Sequence, residues 1–335
     1  MRRGLQLEAW GETRPSENHL DSSRTDTPSG KALSQELFEE IARLRTEMEN
    51  PVSRDLDAKP IEDVLRIINS EDARVARAVE KAIPHIARVI KICSESLRLG
   101  GRVIYIGAGT SGRLGIIDAA ETWPTFSVPP GTFVGLIAGG SEAVFRAKEF
   151  SEDNRDEAIA HLNEISVSAK DTVIGLSASG RTPYVLSGLQ YAKTKGCPTT
   201  LITANPAEKR VDFLDEIICV DTGPEVIAGS TRMKAALAEM MVLHMISTGT
   251  MVMTGRVYGN LMVDVHATTA KTTERAKRII MLLTGVGYEE ATRLLDEAGG
   301  SAKIAILMKK RGLSFQEAKR ALDDAGGFLR KALGE

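Results

Sequence analysis

The sequence predicts an α/β fold built on a five-stranded parallel sheet. Short apolar runs at 102–107, 132–137, 171–176, 198–203 and 216–220 alternate with helical segments at 112–119, 141–149, 153–163 and 182–195. That alternation implies parallel strands with helices over both faces. Two of the runs also end in matching turns. Val103-Ile104-Tyr105-Ile106 leads into Gly107-Ala108-Gly109-Thr110-Ser111-Gly112-Arg113, and Val173-Ile174-Gly175-Leu176 leads into Ser177-Ala178-Ser179-Gly180-Arg181-Thr182. The turns lie roughly 70 residues apart, the spacing of two β-turn-α units with one more between. Ligands of such sheets sit at the carboxyl ends of the strands, where both turns fall.

Each remaining element follows from its local pattern. Residues 1–33 are polar and aperiodic and read as a flexible leader. Leu33, Leu37, Ile41 and Leu44 share one face of a helix expected from Ser34 to Met48, which Asn50-Pro51 ends. Two more helices are expected between Pro60 and Leu99, with Asn69 or Ser70 capping the second. A long Met-rich helix is expected at 229–253, its methionines serving as adaptable core filling. Another helix is expected at 261–284. Beyond Gly285, the pattern Ala-x-x-x-Leu-x-x-Ala-Gly-Gly occurs twice, from Ala291 and from Ala318. This predicts a small helical bundle at 285–335 behind a catalytic domain at 34–284.

Composition narrows the function. A formal charge of -2 gives no basic footprint for nucleic acid. Cys93, Cys197 and Cys219 lie far apart, as do the five histidines, so neither a disulfide framework nor a metal site is expected. No uninterrupted apolar run reaches 18 residues, and no apolar segment follows Met1-Arg2-Arg3 as in a signal peptide. The expectation is a soluble cytoplasmic protein with no membrane partner and no cofactor. Gly107 and Gly109 suggest a dinucleotide fingerprint, but no acidic residue follows at the required distance.

The two turns suit a phosphate ester better. The hydroxyls of Thr110, Ser111, Ser177, Ser179 and Thr182 can each donate to a phosphoryl oxygen, beside the backbone N–H groups of a helix mouth. The same residues also serve as ordinary turn and cap formers. A third anion-suited segment, Gly223-Pro224-Glu225-Val226-Ile227-Ala228-Gly229-Ser230-Thr231-Arg232-Met233-Lys234, opens the long helix with hydroxyls and positive charge. Among the carboxylates, Glu121 lies three residues beyond Asp118 on one helix face, and Glu152 stands near a helix start. Spacing alone does not single either out.

At these residues the chain resembles the N-acetylmuramic acid 6-phosphate etherases. The resemblance is carried by Ile106-Gly-Ala-Gly-Thr-Ser-Gly-Arg-Leu-Gly115, Asp118-Ala-Ala-Glu121, Pro124-Thr-Phe126, Gly135-Leu-Ile-Ala-Gly-Gly140 and Ser179-Gly-Arg-Thr-Pro-Tyr184. The 223–234 segment and Val257-Tyr-Gly-Asn-Leu-Met-Val-Asp264 extend it, from about Thr46 to the C-terminus. It implies a sugar isomerase (SIS) αβα sandwich and a C-terminal bundle of ubiquitin-associated type. It also implies cleavage of the D-lactyl ether at carbon 3 of N-acetylmuramic acid 6-phosphate, by elimination and rehydration, without a metal. Two carboxyl groups of different pKa suffice for such chemistry. By position, Glu121 is implied to protonate the leaving lactate and Glu152 to take the carbon 2 proton. Gly109, Thr110, Ser111, Gly112, Ser177, Ser179, Gly180, Arg181 and Thr182 are implied to surround the phosphate, with Glu225, Ser230, Thr231, Arg232 and Lys234 as further substrate contacts. A homodimer with pockets near the subunit interface is implied as well.

The chain departs from the family pattern at Ala236, Leu237, Met240, His244 and Thr269, mostly along the long helix. Two other functions share the phosphate turns. A phosphosugar isomerase would give a ketose and no lactate. A non-catalytic phosphosugar sensor related to the regulator of glucokinase would bind without turnover.

Overall fold

The computed structural model describes residues 38–39, 41–206, 211–265 and 269–335. Residues up to Arg43 form a unit of their own, in which 38–39 and 41–42 are helical. The expected leader lies outside the described residues. From Leu44 the chain is one compact unit. Three short 3₁₀ turns, Arg45–Glu47, Pro51–Ser53 and Leu56–Ala58, lead into helices α1 (Ile61–Asp72) and α2 (Val75–Arg98).

The five expected strands are all present: β1 (Val103–Gly107), β2 (Phe133–Ile137), β3 (Thr172–Leu176), β4 (Thr199–Thr203) and β5 (Glu216–Cys219). They pair in the order β2-β1-β3-β4-β5, every pair parallel. Strand residues alternate between two cores, as a period of two requires. Val103, Tyr105, Ile174, Leu176, Ile202 and Ile218 pack beneath α2, α3 (Gly109–Phe126) and α7 (Lys234–Met253). Ile104, Ile106, Val173 and Leu201 face the opposite layer, formed by α5 (Arg155–Glu164) and α6 (Pro183–Thr194). A four-residue helix, α4 (Glu142–Phe145), lies between β2 and α5.

Several helices differ from expectation: the one expected from Ser34 to Met48 ends before Leu44 (φ -67°, ψ 131°), α1 runs through Asn69 and Ser70 so that neither caps α2, the one expected at 141–149 is only the four-residue α4, and the one expected at 261–284 starts at Ala270. Helix α3 continues from 119 to Phe126, because Pro124 sits in its last turn and removes only a single intrahelical bond. Helix α7 begins at Lys234 rather than 229, since Gly229 (φ +75°) and Met233 (φ -100°, ψ -107°) interrupt helical geometry. By length and composition α7 could cross a bilayer, yet half of its apolar window is buried here against the sheet and α2.

Helices α8 (Ala270–Thr284), α9 (Tyr288–Glu297), α10 (Ala302–Arg311), α11 (Phe315–Asp324) and α12 (Leu329–Leu333) enclose a separate core. Ala276, Ile279 and Ile280 of α8 belong to it, so this core begins before residue 285. The repeat seen in the sequence is structural. Both α9 and α11 lead into a Gly-Gly pair with positive φ: Gly299 and Gly300 at +60° and +84°, Gly326 and Gly327 at +63° and +82°. Thr269 caps α8 in a reciprocal capping box with Thr272.

Lys303 ties this bundle to the segment that follows α7. Its Nζ donates to Asp264 at 2.6 Å and to the carbonyls of Gly255 and Gly327, both at 2.8 Å. All three ammonium protons are satisfied in a buried position, which offsets the cost of desolvation. Lys303→Met leaves two carbonyls unpaired and Asp264 with only Arg256 at 3.5 Å, and we expect a loss of roughly 3–5 kcal/mol in urea unfolding.

Candidate active site

The chain runs from β1 outward to β2, then returns across β1 to β3. The carboxyl ends of β1 and β3 therefore flank the point where the winding direction reverses, the usual ligand crevice of a parallel sheet. Gly107 and Leu176 are paired neighbours, so the two Ser-Gly-Arg turns leave the sheet side by side.

Glycine makes the first turn possible. A Cβ on Gly107 would stand 2.7 Å from the nitrogen of Gly112, and one on Gly112 would stand 2.7 Å from the Gly107 carbonyl oxygen. Gly109 takes φ +52°. Helix α3 thus starts pressed against the end of its own strand. No side chain caps its first turn, so its N–H groups point toward the crevice with the positive end of the helix dipole. Ser111 is buried within this turn.

The second turn is ordered by its own hydroxyls. Ser177 Oγ lies 2.8 Å from Thr182 Oγ1 and 3.4 Å from Ser179 Oγ. It also accepts from the Gly180 N–H at 3.1 Å, while Ser179 Oγ accepts from Arg181 at 3.2 Å. Gly180 has φ +76°. Its missing Cβ would approach Thr203 Oγ1 to 2.9 Å. From behind, Asn205 Nδ2 donates to the Ala178 carbonyl at 2.9 Å and to Thr46 Oγ1 at 3.1 Å.

The third wall follows β2. Gly139 and Gly140 carry φ +85° and +70°. The Gly139 N–H donates to the carboxylate of Glu157, and Lys148 Nζ donates to the Gly139 carbonyl at 3.2 Å. Glu152 follows, exposed in the 3₁₀ turn Ser151–Asp153, which packs against α6. The residue before that turn, Phe150, holds φ +63°, a conformation that costs energy for a bulky side chain. Glu121 lies elsewhere. It is exposed on α3, and ten residues of helical rise set it about 15 Å along the axis from Ser111. Ile117 and Trp123, on the same helix, are 49% and 50% exposed.

The 223–234 segment divides in two. Ser230, Thr231 and Arg232 lie in the loop ahead of α7, with Arg232 exposed. Glu225 and Lys234 are internal. Glu225 is fully buried and accepts from the backbone N–H groups of Lys234 and Ala235 at 3.0 and 2.9 Å, capping α7. Lys234 Nζ donates to Glu71 Oε2 at 2.5 Å. The same oxygen accepts from Asn50 Nδ2 at 2.8 Å, and Arg74 bonds the other one. The geometry therefore makes these two residues supports of the loop rather than its ligand-facing groups. A buried helix cap and an anion site use the same residue types, and local sequence does not separate them.

Sequence reasoning passed over the contacts of Thr46, Asn50, Glu71, Thr203 and Asn205, which act across long chain separations. Asp118 was noted only for its spacing. It accepts from Tyr105 Oη at 3.0 Å and Ser247 Oγ at 2.9 Å, linking β1, α3 and α7. Burial pushes its carboxyl above the usual range, against both hydrogen bonds. Among the described residues, no three His, Cys, Asp or Glu side chains converge as a metal site requires.

Relatives share this framework. An N-acetylmuramic acid 6-phosphate etherase of Geobacillus sp. is 50% identical over 293 residues, covering 88% of this chain and 99% of its own length. The chain belongs to the N-acetylmuramic acid 6-phosphate etherase family. Etherases of Rubrobacter xylanophilus and Cronobacter sakazakii are 47% and 48% identical, over 81% and 88% of this chain and 90% and 99% of theirs. The SIS domain model matches residues 154–249, and that of the glucokinase regulatory protein N-terminal SIS domain matches 85–193. In this etherase-family chain the two matches together span β1 to β5 and most of α7.

The cluster around Glu71 makes a prediction about acid stability. Burial raises its pKa, but the hydrogen bonds from Lys234, Arg74 and Asn50 outweigh that and hold it near 2, against an ordinary 4.5. A depressed carboxyl stabilises the fold above pH 4.5 and loses that contribution as pH falls toward 2. Glu71→Gln should lie on the order of 3 kcal/mol below the parent above pH 4.5, with the gap in Tm closing as the pH is lowered.

Proposed function

We propose that this chain cleaves the D-lactyl ether of N-acetylmuramic acid 6-phosphate, yielding N-acetylglucosamine 6-phosphate and D-lactate. The observation that carries this reading is the pairing of two hydroxyl-lined turns on adjacent strands, in a chain half identical to an etherase. The phosphate sits between the turns, held by Ser111, Ser177, Ser179 and Thr182 and by N–H groups of the α3 and α6 mouths. Gly109, Thr110, Gly112, Gly180 and Arg181 shape that cradle. Ser230, Thr231 and Arg232 line its approach, on a loop fastened by Glu225 and Lys234.

The sugar opens to its aldehyde, which acidifies the proton on carbon 2. Glu152 takes that proton. A carbon–carbon double bond forms as the ether bond at carbon 3 breaks, and Glu121 protonates the departing lactate oxygen. Water then adds at carbon 3 and a proton returns to carbon 2. This sequence asks for two carboxyl groups and oriented donors, not for a redox step.

Glu121 requires a second copy in this reading. A sugar ring anchored by its phosphate at Ser111 does not span about 15 Å along α3. The half-exposed Ile117 and Trp123 beside Glu121 suit burial against another protomer. A homodimer would bring Glu121 of one copy to the phosphate turns of the other. The cytoplasm is the compartment that fits three free thiols, two of them buried.

The match to the regulatory-protein SIS domain favours one other function, phosphosugar sensing without turnover. Incubation with N-acetylmuramic acid 6-phosphate in ¹⁸O-labelled water separates the two. We expect D-lactate, label at carbon 3 of the product, and activity reduced at least a thousandfold in Glu121→Ala and Glu152→Ala. A folded protein that binds the phosphosugar and releases no lactate is a sensor.

A further inference from the structure

The loop that carries Glu152 is gathered at Gly139. Strand β2 ends against the first Ser-Gly-Arg turn, where the Ala138 N–H donates to the Gly107 carbonyl at 3.0 Å. The next residue, Gly139, is buried with φ +85°. A Cβ on it would stand 3.2 Å from both Ala143 Cβ and Ser151 Cβ, so the loop folds back onto it. Ser151 immediately precedes Glu152. Its Oγ donates to the Lys148 carbonyl at 2.7 Å, and Lys148 Nζ donates to the Gly139 carbonyl at 3.2 Å. Arg113 of α3 holds the middle of the loop, donating to the carbonyls of Val144 and Arg146, both at 3.0 Å.

Glu157 takes the remaining polar group of Gly139. It lies in the first turn of α5, and Asn154-x-x-Glu157 has the spacing of a capping box. Asn154 Oδ1 accepts from the Glu157 N–H at 3.1 Å, as such a box requires. The Glu157 carboxylate does not return to the Asn154 N–H, which bonds the Ser151 carbonyl instead. It crosses to Gly139, 18 positions back in the chain, and accepts that N–H with both oxygens at 3.1 Å. A completed box would have served the helix, whereas this contact serves the loop. His161 stands on the other side of the carboxylate, its Nε2 3.9 Å from Glu157 Oε1. Its Nδ1 lies 2.8 Å from the hydroxyl of buried Tyr184, in the helix that continues from the second turn.

We propose that Glu157 is a positioning residue for the ether cleavage: by holding the Gly139 N–H it fixes where Glu152 stands relative to the two turns. This rests on the reading of Glu152 as the base at carbon 2. Glu152 is exposed in a short 3₁₀ turn, so its place is set by the backbone that carries it. A buried amide that loses its acceptor is costly, and the loop shifts to satisfy it. A displacement of about 1 Å can cost roughly a hundredfold in rate. The second turn is ordered by its own hydroxyls, without Glu157. The signature is therefore a loss of kcat with phosphosugar affinity retained.

Three substitutions test this, each read by lactate release from N-acetylmuramic acid 6-phosphate and by calorimetric binding of N-acetylglucosamine 6-phosphate. Glu157→Leu keeps the size and removes the acceptor. It should lower kcat by about a hundredfold and leave Kd within about twofold of the parent. Glu157→Gln retains an oxygen acceptor and should stay within about threefold of the parent in kcat. Glu157→Asp draws the carboxylate back by one methylene and should fall between these two. It carries the test if the Leu variant does not fold. Equal losses in the Gln and Leu variants, or affinity lost in step with kcat, overturn this inference alone. So does a parental kcat in the Leu variant, or in the Asp variant where the Leu variant does not fold. Parental lactate release in Glu152→Gln overturns the assignment of Glu152 and this inference with it. No lactate from the parent overturns the etherase reading itself.

Discussion

Helix α7 is the constraint on which the rest of the structure depends. It lies across one face of the sheet, and its polar side chains each grip a different element. Lys234 holds α1 through Glu71, and Ser247 holds α3 through Asp118. Gly249 gives α2 close approach, since a Cβ there would meet Ile90 Cδ1 at 2.5 Å. An apolar helix with these few polar contacts is held in one register, because each buried polar group loses its partner if the helix slides.

Around that frame, the crevice is built from backbone that only particular residues allow. Gly107 and Gly112 permit α3 to start against β1, and Gly180 turns the second loop over Thr203. The hydroxyls that order the second turn among themselves are the ones assigned to the phosphate. The two carboxylates, Glu121 and Glu152, are exposed, whereas Ser111 and Ser177 of the turns are buried. Groups meant to act on a sugar in a closed pocket need a further surface over them, and in the proposed reading a second copy of the chain would supply one.

Much of this was legible in the sequence, for reasons that differ by element. The strands were legible because buried parallel strands read as continuous apolar runs ended by turn residues. The two hydroxyl-rich turns were legible because hydroxyls and glycines sat directly after such runs. The end of α3 was not, since Pro124 signals a stop that the final helical turn tolerates. Lys234 read as an anion contact because a local window cannot show that Glu71, 163 positions before it, takes the ammonium. Glu239 gave no signal at all. On a Met- and Leu-rich helix it reads as a lone polar residue, and only the fold shows it buried near Ala178 and Thr203.

The central claim is a site completed by two copies, with Glu152 beside the turns of one protomer and Glu121 delivered from the other. Mixing two inactive variants, Glu121→Gln and Glu152→Gln, tests it directly. Unfolding and refolding the mixture, or co-expressing the two chains, scrambles the subunits. If the carboxylates of one pocket come from different protomers, mixed dimers hold one intact pocket and lactate release returns to about a quarter of the parent rate. If both carboxylates of a pocket come from one chain, every pocket lacks a group. Lactate release then stays at the level of the separate variants, which would contradict the account.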